Sequence, residues 1–549
     1  MSAGLGAGPA FRVKDAARAP INPGHLDIRW MVQAGPLLLL SGNDGASGSE
    51  LWKSDGTPEG TALVKDIRPG EGDSMSLDYV AIGSTVFFAA DDGYTGQELW
   101  KSDGTPEGTV RVKDIWPGPL GSFVHQLTAV GGTLFFSADD GTSGQELWMS
   151  DGTEAGTRRV KDILPGAGGS SPAWLTHAGG ALYFAANDGV SGTELWKSDG
   201  TEAGTQRVAD LWPGGDAYPR ELTSFAGALY FSASTPTEGE EPRRLTLDSG
   251  NIELVKDIQP GAGSSLPQQF LVLGASLYFH ADDGVSGQEL WTSDGTEAGT
   301  TLVKDISPGA SSSLPRALTP VGQKLFFIAN DGTSGQELWV SDGTPAGTTL
   351  VKDISPGAGS TYMEQFTAAG NRLLFAADDG STGLELWVSD GSEAGTMLLQ
   401  DINPGWNGSE PTAFISYNGL LYFGAHGDES GGQMWKSDGT QAGTQMVKDL
   451  APGRSHASPQ KLMEVGGRLF YTAQDETAGR EVWTSDGTEA GTRRVKDILA
   501  GASSSFPDAL TDAGGTLFFS ADDGASGQEL WRSDGTAAGT TLVKDISPG

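Results

Sequence analysis

A period of 48 residues constrains this chain more than any other feature. The phrase "ELWKSDGT" at 50–57 returns with small changes at 98, 146, 194, 289, 337, 385, 433, 481 and 529. One altered copy, "RRLTLDSG" at 243–250, brings the number of copies to eleven. A fixed period of about 20 to 50 residues indicates an array of repeated units that pack on their neighbours.

Each unit contains four short extended runs. In residues 126–174 these are "QLTAV", "TLFFSA", "ELWMS" and "RRVKDI", joined by "GG", "DDGTSG" and "DGTEAGT". Gly and Asp in such joints favour hairpin turns, and the Pro-Gly-Ser linker after the fourth run suits a crossover to the next unit. The sequence therefore predicts an all-β fold, a β-propeller built from eleven four-stranded antiparallel repeats.

The predicted propeller spans residues 36–549, with an eroded fifth repeat at about 222–258. Residues 1–35 form an N-terminal segment whose "VKD" supplies an extra outer strand. Eleven blades exceed the usual range of about 4 to 8. Two rings of about five and six blades are the alternative, but the linker around 208–221 is no longer than the others. The sequence favours a single large ring.

Composition excludes several classes of partner. The net charge of -36 argues against nucleic acid and against anionic membrane surfaces, because both require a basic face. The sequence contains no stretch of about 18 apolar residues, so it predicts no membrane insertion. The absence of cysteine excludes disulfides and thiolate metal ligands. The first residues, "MSAGLGAGPAF", lack the basic and apolar regions of a signal peptide.

The run "ELWxSDGTxxGTxxVKDIxPG" resembles the ELWxxDGT-repeat proteins, a bacterial family named for this string. The resemblance covers residues 36–549, and the motif recurs ten times. It implies a β-propeller-like repeat protein that is secreted or attached to the cell surface, which assumes an export signal absent from this chain. It carries no catalytic residues to transfer.

The repeated aromatic and acidic residues of this motif suggest structural roles. Ten of the 15 tryptophans belong to the ELW phrases, and we expect them to pack between blades. The aspartate of "SDGT" is expected to cap its own turn by accepting backbone N–H groups.

Comparison of the repeats with one another predicts an ionic bridge at each seam between blades. The lysine of "VKD" is replaced at Ala209 and Gln400. In our alignment the repeats that follow these positions lack two acids, with Arg243 at the glutamate position of the fifth repeat and Gln433 at that of the ninth. Positions that change together are often in contact. The predicted bridges join lysine, loop aspartate and strand glutamate, namely Lys65 with Asp92 and Glu98, Lys113 with Asp140 and Glu146, and Lys161 with Asp188 and Glu194.

The acid-rich "DDGxxGxE" loops also raise the hypothesis of bound calcium, which prefers oxygen ligands in flexible loops. A lysine ammonium at the same place would repel Ca²⁺, and the spacing does not match an EF-hand loop. We therefore predict no metal and no cofactor, with calcium as the lesser alternative.

A ligand site on a repeated scaffold is expected where the repeats differ. Five tryptophans lie outside the ELW phrases, all in or beside the linkers, and exposed aromatics flanked by polar groups suit sugar rings or protein anchors. The predicted ligand-binding residues are Trp30, Trp116, Trp174, Trp212, Trp406, Tyr218, Arg220 and Tyr362. The alternative is a structural role, in which these residues cover the ends of neighbouring blades.

The sequence thus favours a non-enzymatic binding or adhesion scaffold that recognises glycan or protein through its aromatic linkers. One alternative is a glycan-active hydrolase or lyase with an acidic central funnel. The recurrence of most acids in every repeat disfavours it, because a catalytic pair should break the symmetry. Another alternative is a structural component of a coat or matrix.

Overall fold

The structure, a computed structural model, describes residues 31–34, 37–43, 47–55, 60–70, 72–427, 431–449, 457–475 and 477–545. These residues form 44 β-strands arranged as eleven four-stranded antiparallel sheets, which we number as blades 1–11. No helix occurs among them, so none of the described ranges contains a helix that could span a membrane.

Blades 1–4 contain sixteen strands. In chain order these are β1 (Met31–Ala34), β2 (Leu37–Asn43), β3 (Ser49–Ser54), β4 (Ala62–Lys65), β5 (Met75–Ile82), β6 (Thr85–Asp91), β7 (Gln97–Ser102), β8 (Val110–Arg111), β9 (His125–Val130), β10 (Thr133–Asp139), β11 (Gln145–Ser150), β12 (Arg158–Arg159), β13 (Ala173–Ala178), β14 (Ala181–Asn187), β15 (Thr193–Ser198) and β16 (Gln206–Arg207).

Blades 5–8 continue the same order. Their strands are β17 (Arg220–Phe225), β18 (Ala228–Thr235), β19 (Gly239–Thr246), β20 (Ile252–Leu254), β21 (Gln268–Leu273), β22 (Ser276–Asp282), β23 (Gln288–Ser293), β24 (Thr301–Leu302), β25 (Arg316–Val321), β26 (Lys324–Asn330), β27 (Gln336–Ser341), β28 (Thr349–Lys352), β29 (Tyr362–Ala369), β30 (Arg372–Asp378), β31 (Leu384–Ser389) and β32 (Met397–Gln400).

Blades 9–11 complete the ring. Their strands are β33 (Thr412–Tyr417), β34 (Leu420–Gly427), β35 (Gly431–Ser437), β36 (Gln445–Lys448), β37 (Gln460–Val465), β38 (Arg468–Gln474), β39 (Arg480–Ser485), β40 (Arg493–Arg494), β41 (Asp508–Ala513), β42 (Thr516–Asp522), β43 (Gln528–Ser533) and β44 (Thr541–Lys544).

The eleven blades form one closed ring, which confirms the predicted propeller and shows that the two-ring alternative is wrong. Within each blade the strands pair in sequence order, and the first strands of neighbouring blades contact one another. Strand β41 contacts β1, and Trp52 of blade 1 packs with Phe518 and Leu530 of blade 11. The ring therefore closes through the same apolar seam that joins other blades.

The first blade begins earlier than the boundary expected from the sequence. Strand β1 (Met31–Ala34) pairs with β2, so the propeller includes Met31–Ala34, which precede the expected boundary at residue 36. The extra "VKD" strand predicted in the N-terminal segment lies outside the described residues.

The ELW tryptophans pack between blades, as predicted. Trp100 is 6 % exposed and lies in one apolar cluster with Leu39 and Leu51 of the preceding blade. Trp148 packs in the same way against Phe87 and Leu99. Since burial of a large aromatic contributes about 1.5–3 kcal/mol, these tryptophans stabilise the seams at which they occur.

The aspartate of "SDGT" caps its own turn, as predicted. The carboxylate of Asp103 accepts the Thr105 backbone N–H at 2.9 Å and the Thr105 hydroxyl at 2.7 Å. The same pair of bonds joins Asp151 to Thr153. These bonds hold the connection between the third and fourth strands.

The ELW glutamate is fully buried and binds the linker that leaves its own blade. In blade 2 the carboxylate of Glu98 accepts the backbone N–H groups of Ile115 at 2.9 Å and Trp116 at 3.0 Å. It also accepts the Ser122 hydroxyl at 2.8 Å. A buried carboxylate is strongly destabilising unless it is hydrogen-bonded, so these bonds fix the path of the linker.

The predicted ionic bridge is wrong in its partners. Lys113 does cross the seam, but its ammonium donates to the carbonyl oxygen of Thr157 at 2.8 Å. Asp140 instead caps its own loop and pairs with Arg159 of the same blade at 3.3 Å. Glu146 accepts hydrogen bonds from its own linker. Because local donors already satisfy both acids, they need no lysine from the next blade.

The other predicted bridges are corrected in the same way. Lys65 donates to the carbonyl of Thr109 and Lys161 to that of Thr205; Asp92 pairs with Arg111 and Asp188 with Arg207; Glu98 and Glu194 accept backbone N–H groups of their own linkers.

What the lysine does meet in the next blade is the face of a tryptophan. The ammonium of Lys161 lies 5.7 Å from the centre of the Trp196 ring, within the range of a cation–π contact. The same contact joins Lys65 to Trp100, Lys304 to Trp339, Lys352 to Trp387 and Lys496 to Trp531.

The eroded fifth repeat is aligned differently from our expectation. Glu241, not Arg243, holds the ELW glutamate position, because Ala233 pairs with Glu241 as Ala186 pairs with Glu194. Its carboxylate accepts the usual linker N–H groups. Arg243 pairs with Phe231 and therefore holds the tryptophan position.

This register explains why Ala209 replaces lysine. The following blade offers no tryptophan face, and the buried guanidinium of Arg243 would repel an ammonium there. Arg243 instead pairs with Glu238 at 3.2 Å. The second replacement, Gln400, precedes a blade that keeps Trp435, and nothing in the structure explains it.

We expect Lys161→Ala to lower the free energy of unfolding by about 1 kcal/mol, because it removes a cation–π contact and a charge-assisted hydrogen bond. Ala209→Lys should give no gain, because Arg243 occupies the position of the tryptophan. Denaturant titration of the two variants beside the parent chain measures both effects. A clear stabilisation by Ala209→Lys would contradict this account of the seam.

The buried glutamates predict a stability that falls as pH rises. Burial raises the pKa of Glu98 from 4.5 to about 7, against the opposing effect of its hydrogen bonds. Between these values the folded chain binds more protons than the unfolded chain, so the free energy of unfolding decreases with pH and levels off above the folded pKa. The pKa values of Glu50, Glu194, Glu241, Glu289, Glu337, Glu385 and Glu481 are raised to about 7 by the same cause.

The melting temperature measured between about pH 5 and pH 8 should therefore decline. Each raised carboxyl lowers the free energy of unfolding by at most about 1.4 kcal/mol per pH unit. Glu98→Gln should reduce the slope by one such share, since blade 9 already accommodates Gln433 at the same position. A melting temperature that rises across this range would refute the prediction.

Candidate ligand-binding site

Three predicted ligand-binding residues meet at the seam between blades 4 and 5. Trp174, Tyr218 and Arg220 line a cavity of about 280 Å³ together with Ala185 and Thr193. The cavity opens at the end of the ring where the Pro-Gly linkers enter the first strands, which we call the linker face. We call this cavity the Trp174 pocket.

The backbone that presents the two aromatic rings belongs to the repeat itself. Trp174 and Tyr218 have positive φ angles of 59° and 47°. The pairing of β13 with β14 shifts register between Ala173 and Thr176, which marks a bulge at Trp174. Corresponding positions of other blades, such as Phe123 and Gln126, have the same backbone. Only the side chains therefore distinguish this seam.

Both rings remain available to a ligand. Trp174 is 49 % exposed and Tyr218 is 58 % exposed, although the ELW tryptophans of the same scaffold are almost completely buried. Half-exposed aromatic rings beside an apolar cavity offer flat contact surfaces that a ligand can cover.

Arg220 is held by a buried carboxylate. Its Nε donates to Oε1 of Glu240 at 2.8 Å, and its Nη2 donates to Oε2 at 2.6 Å. Glu240 is 8 % exposed and also accepts the hydroxyl of Ser232. The pair fixes the guanidinium and offsets its charge, so Arg220 does not act as a free cation in the pocket wall.

The pocket exists because one residue is small. In blade 3 the position before the ELW glutamate is Gln145, whose amide accepts the Ser137 hydroxyl at 2.7 Å and donates to the Phe123 carbonyl at 3.4 Å. Gln528 makes the equivalent contacts in blade 11. Blade 4 has Thr193 and Ala185 at the corresponding positions, so no long side chain covers the strands.

The remaining predicted residues do not join this pocket. Trp116 covers the loop of the next blade, where a Cβ at Gly141 would lie 2.3 Å from its Nε1. Trp212 packs in the apolar seam of blades 4 and 5. Trp116 and Trp212 therefore have a structural role, because each covers part of a neighbouring blade.

Two further aromatic residues are exposed elsewhere on the ring. Trp406 is 89 % exposed in the linker between blades 8 and 9. The Tyr362 hydroxyl, at the start of blade 8, donates to Glu364 at 2.7 Å. Trp30 lies outside the described residues.

The acids of the "DDG" loops act as turn caps in the blades that the structure describes. Asp92 accepts the backbone N–H groups of Tyr94 and Thr95, and these bonds together with Arg111 hold the pKa of Asp92 below its usual value despite partial burial. Across the described ranges, no three His, Asp or Glu side chains are close enough to hold a metal ion.

Sequence reasoning found the aromatic residues but missed the residues that open the cavity. Thr193 differs from the glutamine at the same position of Gln97, Gln145, Gln288, Gln336 and Gln528, and this difference was visible in the repeats. Its meaning depends on knowing that this side chain crosses the strands toward the linker, which only the structure shows.

Comparison with known proteins gives weak likenesses alone. No family model matches the chain, and no curated protein matches it. Among solved structures, the chain is similar to the computationally designed Ika8 protein, at 15 % identity over 75 % of this chain and 96 % of that chain, with a TM-score of 0.29. It is similar to the Niastella koreensis GH74 enzyme, at 13 % identity over 95 % and 85 % of the two chains, with a TM-score of 0.29.

A third likeness is to a puromycin-hydrolyzing peptidase of Mycobacterium tuberculosis, at 12 % identity and a TM-score of 0.29. It covers 66 % of this chain and 58 % of the peptidase. Likenesses at this level show nothing about the activity of this chain.

Proposed function

We propose that this chain is a non-enzymatic binding scaffold that recognises a neutral saccharide in the Trp174 pocket. The observation that carries the proposal is the pair of half-exposed rings, Trp174 and Tyr218, that line a mostly apolar cavity. One face of a sugar ring presents C–H groups, which pack against aromatic rings, while its hydroxyls need polar partners at the edge.

The charge of the pocket supports a neutral ligand. Arg220 is neutralised by Glu240, so it serves as a fixed hydrogen-bond donor rather than as a free cation. The net charge of -36 repels anionic ligands at long range. A volume of about 280 Å³ is near the lower end of the range for small-molecule sites, about 300–1,000 Å³, and suits one or two sugar rings.

A binding role also agrees with the use of the repeated acids. The described ELW glutamates and loop aspartates have structural hydrogen bonds, so these carboxylates do not favour a hydrolase. The resemblance to the ELWxxDGT-repeat proteins supports a place outside the cell, where glycans are abundant. We therefore also propose that the chain is a member of the ELWxxDGT-repeat family and is secreted or attached to the cell surface.

Trp174→Ala and Thr193→Gln should each weaken saccharide binding by about tenfold or more in affinity. The first removes a ring, and the second fills the cavity with the residue that blade 3 carries at the same position. Trp406→Ala is the matched control, because it removes an exposed tryptophan from another linker. Glycan-array binding followed by calorimetry on the retained oligosaccharide measures the effect.

Unchanged affinity in both pocket variants would refute the saccharide site. If the parent chain retains no glycan but binds a protein, and the two pocket variants lose that binding, the pocket is a protein site instead. Release of reducing sugar by the parent chain would show that the scaffold is an enzyme.

A further inference from the structure

The departures of blade 9 from the repeat converge on one seam. Gly424 replaces a larger residue of the second strand, and His426 replaces the Asp or Asn that most blades carry at the start of the loop. Gly432 stands before Gln433, the one described neutral residue at the ELW glutamate position, and Ala457 replaces the linker serine that would bind that glutamate. Such clustering is expected of a site rather than of random drift.

A second cavity lies at this seam, built like the Trp174 pocket. It has a volume of about 290 Å³ and lies between blades 9 and 10, at the linker face. Thr412 pairs with Gly424 as Ala173 pairs with Ala185 in blade 4. Pro459 occupies the place of Pro219. We call it the Glu410 pocket.

Missing side chains open this cavity too. A Cβ at Gly424 would lie 2.9 Å from the carbonyl oxygen of Pro459. A Cβ at Gly432 would lie 2.7 Å from Cδ2 of His426, so only glycine lets the imidazole lie across the strand. In blade 10 the position of Gly432 is held by Arg480, which donates to the carbonyl of Ser458 at 2.8 Å and fills the equivalent space.

The chemistry of the Glu410 pocket is opposite to that of the Trp174 pocket. Its lining residues include Glu410, Thr412, His426, Ser458 and Gln460, which carry a carboxyl group, two hydroxyls, an imidazole and an amide. Among the residues that the structure describes, its lining contains no Trp or Tyr, and no arginine pairs with Glu410. This set suits a small polyhydroxylated ligand that carries a positive charge.

We infer that the Glu410 pocket is a second ligand site, specific for a sugar that carries a free amino group. The ammonium pairs with the carboxylate of Glu410, and the ring hydroxyls bond to Thr412, Ser458 and Gln460. The choice of a saccharide rests on the proposed function, whereas the charge of the ligand is read from this pocket alone. One chain would then bind neutral and amino sugars at different seams.

The experiment uses the full chain with two probes of equal length, an oligomer of glucosamine and an oligomer of N-acetylglucosamine. The parent chain should bind the glucosamine oligomer at the Glu410 pocket. Glu410→Gln keeps the shape but removes the charge, and it should weaken that binding by about tenfold or more. Gly432→Gln should abolish it by filling the cavity. Calorimetry measures each affinity.

Two control variants separate this site from other effects. Glu393→Gln removes one exposed acid from an outer turn of blade 8 and should leave binding unchanged, which separates the site from general attraction to an acidic protein. Thr193→Gln closes only the Trp174 pocket and should not affect the glucosamine oligomer.

Equal affinity of the parent chain and Glu410→Gln for the glucosamine oligomer would overturn the inference, even if the Trp174 pocket binds its ligand. If the glucosamine oligomer binds in a manner that depends on Glu410, but the chain binds no neutral sugar, the inference is upheld and the proposed function fails. Tighter binding of the N-acetylated oligomer, lost in Gly432→Gln, would overturn the ammonium assignment.

Discussion

The rest of the structure depends on a carboxylate buried in the third strand of every blade except blade 9, where Gln433 takes its place. Glu98 accepts two consecutive backbone N–H groups and a serine hydroxyl from the linker that leaves its blade. This linker then enters the first strand of the next blade, so one side chain sets both the path of the crossover and the start of its neighbour. The raised pKa of these groups makes the free energy of unfolding depend on pH.

The seams add a second layer of constraint, because every blade except blade 5 buries an ELW tryptophan against its predecessor. The same ring receives a lysine from the preceding blade in five of the described seams. Blade 5 shows what happens when this pair is lost. Arg243 takes the place of the aromatic ring and finds Glu238 as its partner, and Ala209 removes the cation that would oppose it. The glutamate remains, as Glu241, because the linker still needs it.

The two pockets form on this scaffold where a side chain is smaller than its counterpart in other blades. The position before the ELW glutamate carries a long side chain in most blades, and that side chain fills the space above the strands, as Gln145 does. Thr193 and Gly432 leave this space open at two seams. Aromatic rings then make one pocket neutral and apolar, while Glu410 and His426 make the other polar and acidic. Both pockets lie on the same bulged backbone, so no new backbone conformation is required.

The sequence alone determined the repeat, its four strands, the buried role of the ELW tryptophans and the capping role of Asp103. Those properties follow from periodicity and local turn chemistry, which act over a few residues. It also indicated Trp174, Tyr218 and Arg220, because they break the symmetry. Tertiary structure decided which residues meet: that β41 closes on β1, that Lys161 faces Trp196 rather than Asp188, and that Arg243 holds a tryptophan position. These depend on strand register and on distances across a seam. A shift of two residues in one eroded strand, invisible in the sequence, reassigns every contact that its side chains make.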